Sequence, residues 1–268
     1  MKTDNNRIAI VTGGFGLLGR QHVLALQETG CFVYVLDESK KDLGQFMSII
    51  ENEGDSGKVK TLLIDLKSER QIKLAIKSIV DVEGGIDILV NNAALNPKPS
   101  VGQRVKKLEN FSVREWNEEV SVGLTSYILM TKYCAPYMSW GGVIVNISSD
   151  LSIISPDQRV YESLGQDVNG EFFVKPISYS VIKTGLLGLT RYLATYLAKD
   201  GIRVNALSPG GVYAEQDSSL VKAIEGLIPL GRMAFVSEYR GAIKFLCTEE
   251  SSYMTGQNLV IDGGRTVW

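Results

Sequence analysis

Residues 8–19 read IAIVTGGFGLLG, an apolar run that leads directly into a glycine-rich stretch. The β-branched residues predict a buried strand, and Gly14, Gly16 and Gly19 form a GxGxxG pattern that opens a helix. Glycine permits a tight turn and lets backbone N–H groups approach a pyrophosphate, to which the helix N-terminus presents its positive end. Glycine-rich turns often follow strands, so the surrounding sequence must decide what this one does.

Further β-branched runs follow and alternate with amphipathic segments of helical length. Strands are predicted at 8–11, 32–37, 59–65, 86–92, 143–149, 202–208 and 258–262. Helices are predicted at roughly 17–29, 39–53, 68–82, 112–138, 178–199 and 237–248, several of them preceded by a capping residue such as Ser39, Ser68 or Ser112. This alternation predicts an α/β fold: a Rossmann-like doubly wound parallel sheet of about seven strands, with helices on both faces and ligands at the carboxyl ends of the strands.

The composition excludes several functional classes. The chain has 268 residues, 44% of them apolar, and a formal net charge of −2, which supplies no basic field for nucleic acid. Cys31, Cys134 and Cys247 lie far apart and His22 is the single histidine, so neither a disulfide framework nor a metal site is expected. The chain has no signal-peptide pattern and no run of eighteen apolar residues, which predicts a cytoplasmic protein without membrane spans.

Asp37 ends the second predicted strand, eighteen residues past the last glycine of the turn. A carboxylate at about this distance hydrogen-bonds the adenosine ribose of a bound dinucleotide. The alternative is an N-cap for the next helix, a role that Ser39 also fits. Glu38 follows directly, and two carboxylates would repel the extra phosphate of NADP, so NAD is the predicted cofactor. Lys40 and Lys41 are expected to face solvent.

From Arg7 to about Gly264 the chain resembles the short-chain dehydrogenase/reductase family. Beyond the glycine turn, the motifs that carry the resemblance follow the family's order: Asp65, Asn91-Asn92-Ala93-Ala94, Ser148, the YxxxK pair Tyr179 and Lys183, Pro209-Gly210 and Asp262-Gly263-Gly264. The resemblance implies one NAD-binding Rossmann domain over 1–268 that acts on a small hydroxy or keto substrate. It implies these cofactor contacts: Gly13, Gly14, Phe15, Gly16, Leu17, Leu18, Asp37, Asp65, Leu66, Asn92, Ala93, Tyr179, Lys183, Pro209, Gly210 and Val212.

The predicted chemistry centres on a tyrosine and a lysine. Tyr179 and Lys183 stand four residues apart and therefore share one helix face, although an ordinary surface pair has the same spacing. The Lys183 ammonium is expected to lower the pKa of Tyr179 from about 10 toward neutrality, which makes Tyr179 a general acid or base between a secondary alcohol and a ketone. The resemblance implies that Ser148 hydrogen-bonds the reacting oxygen and that Lys183 also holds the nicotinamide ribose.

The stretch between Ser148 and Tyr179 holds thirty residues, more than the family usually has there. The extra segment, about 156–176, is expected to be an insertion over the substrate mouth, with an inert surface loop as the alternative. Tyr161 lies nearer the family's spacing. Gly165 rather than a lysine stands four residues after Tyr161, so Tyr179 is the predicted catalytic tyrosine.

Two positions depart from the family's pattern. Gly123 stands where the family has a catalytic asparagine, and Ala214 where it often has a threonine that contacts the nicotinamide carboxamide. Glycine accepts irregular backbone, so the helix over 112–138 is expected to bend or lose a hydrogen bond near Gly123, with a carbonyl facing Lys183. Close helix packing is the alternative reason for this glycine. These departures leave a second function open, a cofactor-binding protein that has lost turnover and acts as a partner or sensor.

The glycine spacing also resembles the TGxxGxxG of longer sugar-nucleotide epimerases, but few residues follow Asp262 to form their separate substrate domain. The resemblance to short-branch sugar- and polyol-directed reductases makes a sugar or polyol the expected substrate. The segments 112–138 and 178–199 are apolar around more of their circumference than one sheet face covers. A homodimer or homotetramer is therefore expected.

Overall fold

The computed structural model describes residues 7–95, 107–167 and 169–268. Within these ranges seven strands form one sheet in the order β3-β2-β1-β4-β5-β6-β7, and every neighbouring pair is parallel. The strands are β1 Ile8–Thr12, β2 Phe32–Asp37, β3 Val59–Leu63, β4 Ile86–Asn91, β5 Met138–Ile147, β6 Arg203–Pro209 and β7 Asn258–Ile261. This confirms the predicted doubly wound parallel sheet, in which the strand order reverses between β1 and β4.

Helices connect the strands and cover both faces of the sheet. They are α1 Gly19–Glu28, α2 Leu43–Glu53, α3 Glu69–Glu83, α4 Val113–Val120, α5 Ser126–Cys134, α6 Arg159–Glu162, α7 Ile177–Tyr196, α8 Ser218–Glu225 and α9 Arg240–Cys247. Successive residues of β1 point to opposite faces, so Val11 joins one apolar core and Ile10 the other. No helix in the described part of the chain has the length and apolar character that crossing a membrane requires.

The helix caps agree only in part with prediction. The hydroxyls of Ser68 and Ser112 accept the backbone N–H groups of α3 and α4, each over 3.3 Å. The expectation that Ser39 caps α2 is wrong, because this helix begins at Leu43 and the Ser39 hydroxyl donates to the carboxylate of Asp42 instead. The eight-residue helix α8 and the four-residue helix α6 were not among the predicted helices, because both are too short for a helical period to show in the sequence.

The predicted helix over 112–138 is interrupted. A π-helical turn, Ser121–Thr125, separates α4 from α5, which confirms the expected irregularity at Gly123. A Cβ atom at Gly123 would also lie 2.8 Å from Cγ2 of Ile182 on α7. Both explanations of this glycine therefore hold, since it sits in a distorted turn and lets two helices approach closely.

Candidate active site

The carboxyl ends of the strands open into one cleft of about 840 Å³. This is the edge at which doubly wound sheets bind ligands. Every predicted site residue except Gly14 lines the cleft: Gly13, Phe15, Gly16, Leu17, Leu18, Asp37, Asp65, Leu66, Asn92, Ala93, Ser148, Tyr179, Lys183, Pro209, Gly210 and Val212. A Cβ atom at Gly14 would collide with Val35 of β2, so this glycine serves the packing of the turn on the sheet.

The glycine turn after β1 is packed too tightly for side chains at Gly13 and Gly19. Gly13 has a φ of +64°, and a Cβ atom there would lie 2.7 Å from the Cα atom of Ala93. A Cβ atom at Gly19 would collide with the Gly13 carbonyl. The Asn92 amide donates to that same carbonyl over 2.9 Å and so fixes the turn. Since the first N–H groups of α1 have no intrahelical partners, the turn fits the pyrophosphate of a dinucleotide.

Two acidic side chains line the far end of the cleft. Asp37 accepts the backbone N–H groups of Phe15 and Ser39, each over 3.0 Å, and Glu38 stands beside it. Asp37 does not cap α2, because that helix begins six residues later. Lys40 and Lys41 are exposed and lie outside the cleft lining, as expected. The pair of carboxylates therefore faces the cleft without a neighbouring lysine from this loop.

The two serines at the end of β5 have different partners. Ser148 is 3% exposed and its hydroxyl donates to the backbone carbonyl of Lys183 over 2.8 Å. Ser149 interacts with Tyr179 and opposes the rise that burial causes in the pKa of Tyr179. Ser149 rather than the predicted Ser148 therefore lies on the side of Tyr179, and the catalytic role of either serine stays a prediction. Consecutive residues of extended chain point in opposite directions, so an assignment that is one residue off selects the wrong side of the strand.

Tyr179 and Lys183 both lie on α7, with the Lys183 ammonium 5.8 Å from the centroid of the Tyr179 ring. That ammonium donates to the Ile147 carbonyl over 2.8 Å. Burial and, to a smaller extent, the charge of Lys175 lower the pKa of Lys183 to about 7. Burial also raises the pKa of Tyr179, which the hydrogen bond to Ser149 opposes. The expected depression of the Tyr179 pKa is thus absent in the protein without cofactor, because burial outweighs the other effects.

A buried ion pair lies next to the serine. Arg265 donates to one oxygen of Asp150 over 2.9 Å, and both side chains are less than one-tenth exposed. The other oxygen of Asp150 accepts the Ser149 hydroxyl over 2.8 Å and the Leu151 N–H over 2.8 Å. Nothing in the sequence pattern predicts this pair, because its members lie 115 residues apart and neither belongs to a motif.

The segment 156–176 forms one wall of the cleft, to which it contributes Tyr161, Leu164, Phe173, Val174, Lys175 and Pro176. Gln158 clamps this wall, accepting the Lys175 N–H over 2.9 Å and donating to the Lys175 carbonyl over 3.4 Å. A bond of 2.8 Å from the Ser219 hydroxyl to the Ser163 carbonyl ties the segment to α8. The Lys175 ammonium lies 3.7 Å from the centroid of the Tyr179 ring, a contact that motif spacing does not predict.

The side chain of Gln216 hydrogen-bonds backbone groups on both sides of Tyr213. The Gln216 side chain accepts the Ala214 N–H over 2.7 Å and donates to the Val212 carbonyl over 2.7 Å. Ala214 and Gln216 both line the cleft. A side-chain amide thus stands close to the position where the family's threonine is missing.

The sheet order, the glycine turn and the cleft define a dinucleotide-binding α/β protein of the Rossmann class. A family model described as Enoyl-(Acyl carrier protein) reductase matches residues 17–266. The chain belongs to the short-chain dehydrogenase/reductase family, and is therefore of an oxidoreductase family that binds nicotinamide cofactors.

Relatives match the chain along nearly its whole length. It is 32% identical to a 3-oxoacyl-[acyl-carrier-protein] reductase, FabG, of Thermotoga maritima, over 97% of this chain and 98% of that protein. It is 31% identical to a trans-4-hydroxycyclohexanecarboxylate dehydrogenase of Sinomonas cyclohexanicum, over 97% of this chain and 93% of that protein. A short-chain dehydrogenase from Leptospira borgpetersenii, solved with bound NAD+, is 30% identical with a TM-score of 0.80, over 98% of this chain and 93% of that chain.

Proposed function

We propose that this protein is an NAD(H)-dependent oxidoreductase that interconverts a secondary alcohol and a ketone, with Tyr179 as general acid and base. The observation that carries the proposal is the convergence of three side chains, Ser149, Tyr179 and Lys183, in the cleft that the glycine turn also lines. These three residues do not form the nucleophile and general base that covalent catalysis requires. A phenol beside a lysine is instead suited to moving one proton at a carbonyl or hydroxyl oxygen.

A nicotinamide cofactor bound in the cleft supplies the hydride acceptor or donor. The ionised oxygen of Tyr179 accepts the proton of the alcohol during oxidation, and the Tyr179 hydroxyl donates a proton to the ketone oxygen during reduction. Ser149 hydrogen-bonds the same oxygen and orients it. Lys183 holds the nicotinamide ribose, and its charge favours the ionised form of Tyr179. Because the pKa of Lys183 is about 7, both of its protonation states are populated near neutral pH before the cofactor binds.

The acidic end of the cleft supports NAD as the cofactor. Asp37 ends β2 with its carboxylate anchored to the turn, and Glu38 follows it. Two carboxylates bind ribose hydroxyls and repel a ribose phosphate. The relative from Leptospira borgpetersenii, which was solved with NAD+, agrees with this choice.

The side chains that line the cleft indicate the polarity of the substrate. Apolar side chains from α8 and the loop that follows it face the segment 156–176: Leu220, Ile224 and Met233. This lining favours a substrate with an apolar body over the sugar or polyol expected from sequence resemblance. The segment 156–176 then acts as the substrate-facing insertion.

One observation favours a second candidate function, a cofactor-binding protein without turnover. The pKa of Tyr179 is raised by burial rather than lowered, so the phenol resists ionisation in the protein without cofactor. The π-helical turn at Gly123 favours the enzyme instead, because the distortion is kept although the asparagine is absent. A carbonyl of this turn that faces Lys183 remains part of the proposal.

The two candidates are separated by mixing purified protein with NAD+ and a panel of secondary alcohols while the absorbance of reduced nicotinamide is followed. Turnover that Tyr179→Phe abolishes supports the enzyme. Cofactor binding by calorimetry without turnover on any alcohol, or on any ketone with NADH, supports the second candidate.

We also propose that the protein is a homodimer or homotetramer. Tyr192 and Tyr196 of α7 stack with ring centroids 5.8 Å apart, and each is about 60% exposed. Ile128, Tyr137 and Val181 add exposed apolar area on the neighbouring helix segments. Such surface is typical of a contact between subunits. Light scattering at micromolar concentration tests this, and a monomer would refute it.

A further inference from the structure

Lys175 is a cation built into the substrate side of the cleft. Its backbone is fixed on both sides by the Gln158 amide, and its ammonium lies 3.7 Å from the centroid of the Tyr179 ring. The Lys175 ammonium thus contacts Tyr179, the residue proposed to transfer the proton. An ammonium has three N–H donors, so it can bind a ligand oxygen while keeping other contacts.

Arg265 adds a second cation to the same region. One of its nitrogens donates to Asp150, while its Nε is buried and has no hydrogen-bond partner among the described residues. The charge of Arg265 also reaches Lys175, whose pKa it helps to lower. A buried donor without a partner is costly unless a ligand satisfies it.

Charged groups of both signs meet at this end of the cleft. Arg265 pairs with the buried carboxylate of Asp150, and Glu119, whose carboxylate accepts the Ser178 hydroxyl, acts on Lys175 electrostatically. These carboxylates do not offset the effect of burial, because the pKa of Lys175 is lowered on balance. Lys183 is assigned to the cofactor ribose. Two further acids line the cleft and are exposed to solvent at its rim: Glu215 and Asp217.

Apolar side chains also line this cleft, among them Leu164, Phe173 and Leu220, so a ligand that fits has an apolar body and an anionic group for the Lys175 ammonium. We propose that Lys175, supported by Arg265, binds a carboxylate of the substrate, and that the substrates are hydroxy acids and keto acids with an apolar body. This inference rests on the proposed function for the reacting oxygen, but the carboxylate site itself needs no turnover. Burial lowers the pKa of Lys175 to about 8, so the ammonium persists at neutral pH and gains from a bound anion.

The test measures binding and needs no hydride transfer. Cyclohexanecarboxylate, hexanoate and benzoate are titrated calorimetrically into the full chain with saturating NAD+, each beside its uncharged amide of the same shape. We expect each carboxylate to bind at least tenfold more tightly than its amide. Equal affinities, or tighter binding of the amides, would overturn the inference whether or not the protein turns over alcohols.

Variants then assign the preference to its residue. Lys175→Met keeps the length of the side chain and removes its charge, and we expect it to reduce the preference for carboxylates to less than threefold while amide affinity is unchanged. Lys175→Gln is the second variant in case the first does not fold. Lys199→Met, at an exposed lysine outside the cleft lining, is the matched control and should keep the preference. A preference that survives both Lys175 variants would refute the role of Lys175.

If alcohols are turned over, the same variants give a kinetic readout. For hydroxy acids, Lys175→Met should raise KM at least tenfold with a smaller change in kcat, while their methyl esters are unaffected. An equal loss on acids and esters would contradict the proposal and indicate a merely structural role for Lys175. A protein that prefers carboxylates but forms no NADH would retain the carboxylate site and lose the proposed function.

Discussion

Replacing Ser149 by alanine should remove catalysis while leaving the fold intact, and replacing Ser148 should do the reverse. In the proposed mechanism Ser149 hydrogen-bonds the reacting oxygen, and the loss of one such donor typically costs a factor of about 10² to 10³ in kcat. The variant loses the Ser149 hydroxyl's bonds to the Asp150 carboxylate and from the Leu151 N–H, but that carboxylate keeps both Arg265 and the Leu151 N–H. We expect the free energy of unfolding to fall by about 1 kcal/mol.

Ser148→Ala is the matched control in the adjacent residue. It removes a buried hydrogen bond of 2.8 Å to the Lys183 carbonyl, which is worth about 0.5–1.5 kcal/mol of stability. Its effect on kcat/KM should remain below about tenfold, because the Ser148 hydroxyl donates to the Lys183 carbonyl and is not assigned to the reacting oxygen. Both variants are compared by urea unfolding, by calorimetric NAD+ binding and by kcat/KM from the absorbance of reduced nicotinamide. A larger loss of kcat/KM in Ser148→Ala than in Ser149→Ala would refute the proposed role of Ser149.

Three further predictions follow from the cleft and the core. Asp37→Ser should lower the NADP+ dissociation constant relative to that of NAD+ at least tenfold. A carboxylate about 4 Å from a phosphate disfavours binding of that phosphate by roughly 4 kcal/mol at an effective dielectric constant near 20; an unchanged ratio of the two constants would contradict the role of Asp37. Tyr179→Phe should lower kcat by about 10² to 10⁴ with cofactor affinity retained, and Tyr161→Phe by less than tenfold; the opposite order would move the catalytic role to Tyr161. Burial lowers the pKa of His22 from 6.5 to about 3, so the unfolded state binds a proton that the folded state refuses as the pH falls below 6.5. The unfolding free energy should therefore drop by about 2 kcal/mol more between pH 7 and pH 5 in the wild type than in His22→Gln, and parallel curves would refute this.

Much of the fold was predictable because its signals are local. The β-branched runs of β1 and β2 are buried on both faces of a parallel sheet, so nearly every residue in them is apolar and the run stands out. The position of Asp37 at the end of its strand follows from the same run. The helix distortion at Gly123 was predictable because glycine replaces the family's asparagine there, and glycine accepts irregular backbone conformations.

The features that the sequence did not predict depend on neighbours in space. Ser148 and Ser149 are chemically identical, and only the packing of α7 shows which of them faces Tyr179. Lys175 lies in a segment whose polar, turn-like composition indicates a loop, and the Gln158 clamp on its backbone cannot be inferred from spacing. Arg265 acquires its place through an ion pair with a residue distant in sequence, which periodicity does not reveal.

The central claim is that hydride moves between the cofactor and the carbon of a carbonyl group in this cleft. The most direct measurement incubates the protein with NADH that carries deuterium at both positions of the nicotinamide C4 and with ketones, including keto acids, and detects deuterium in the product by mass spectrometry. We expect deuterium on the new alcohol carbon with the wild type and none above background with Tyr179→Phe. Bound NADH that transfers no deuterium to any ketone would contradict the claim and leave a cofactor-binding protein without turnover.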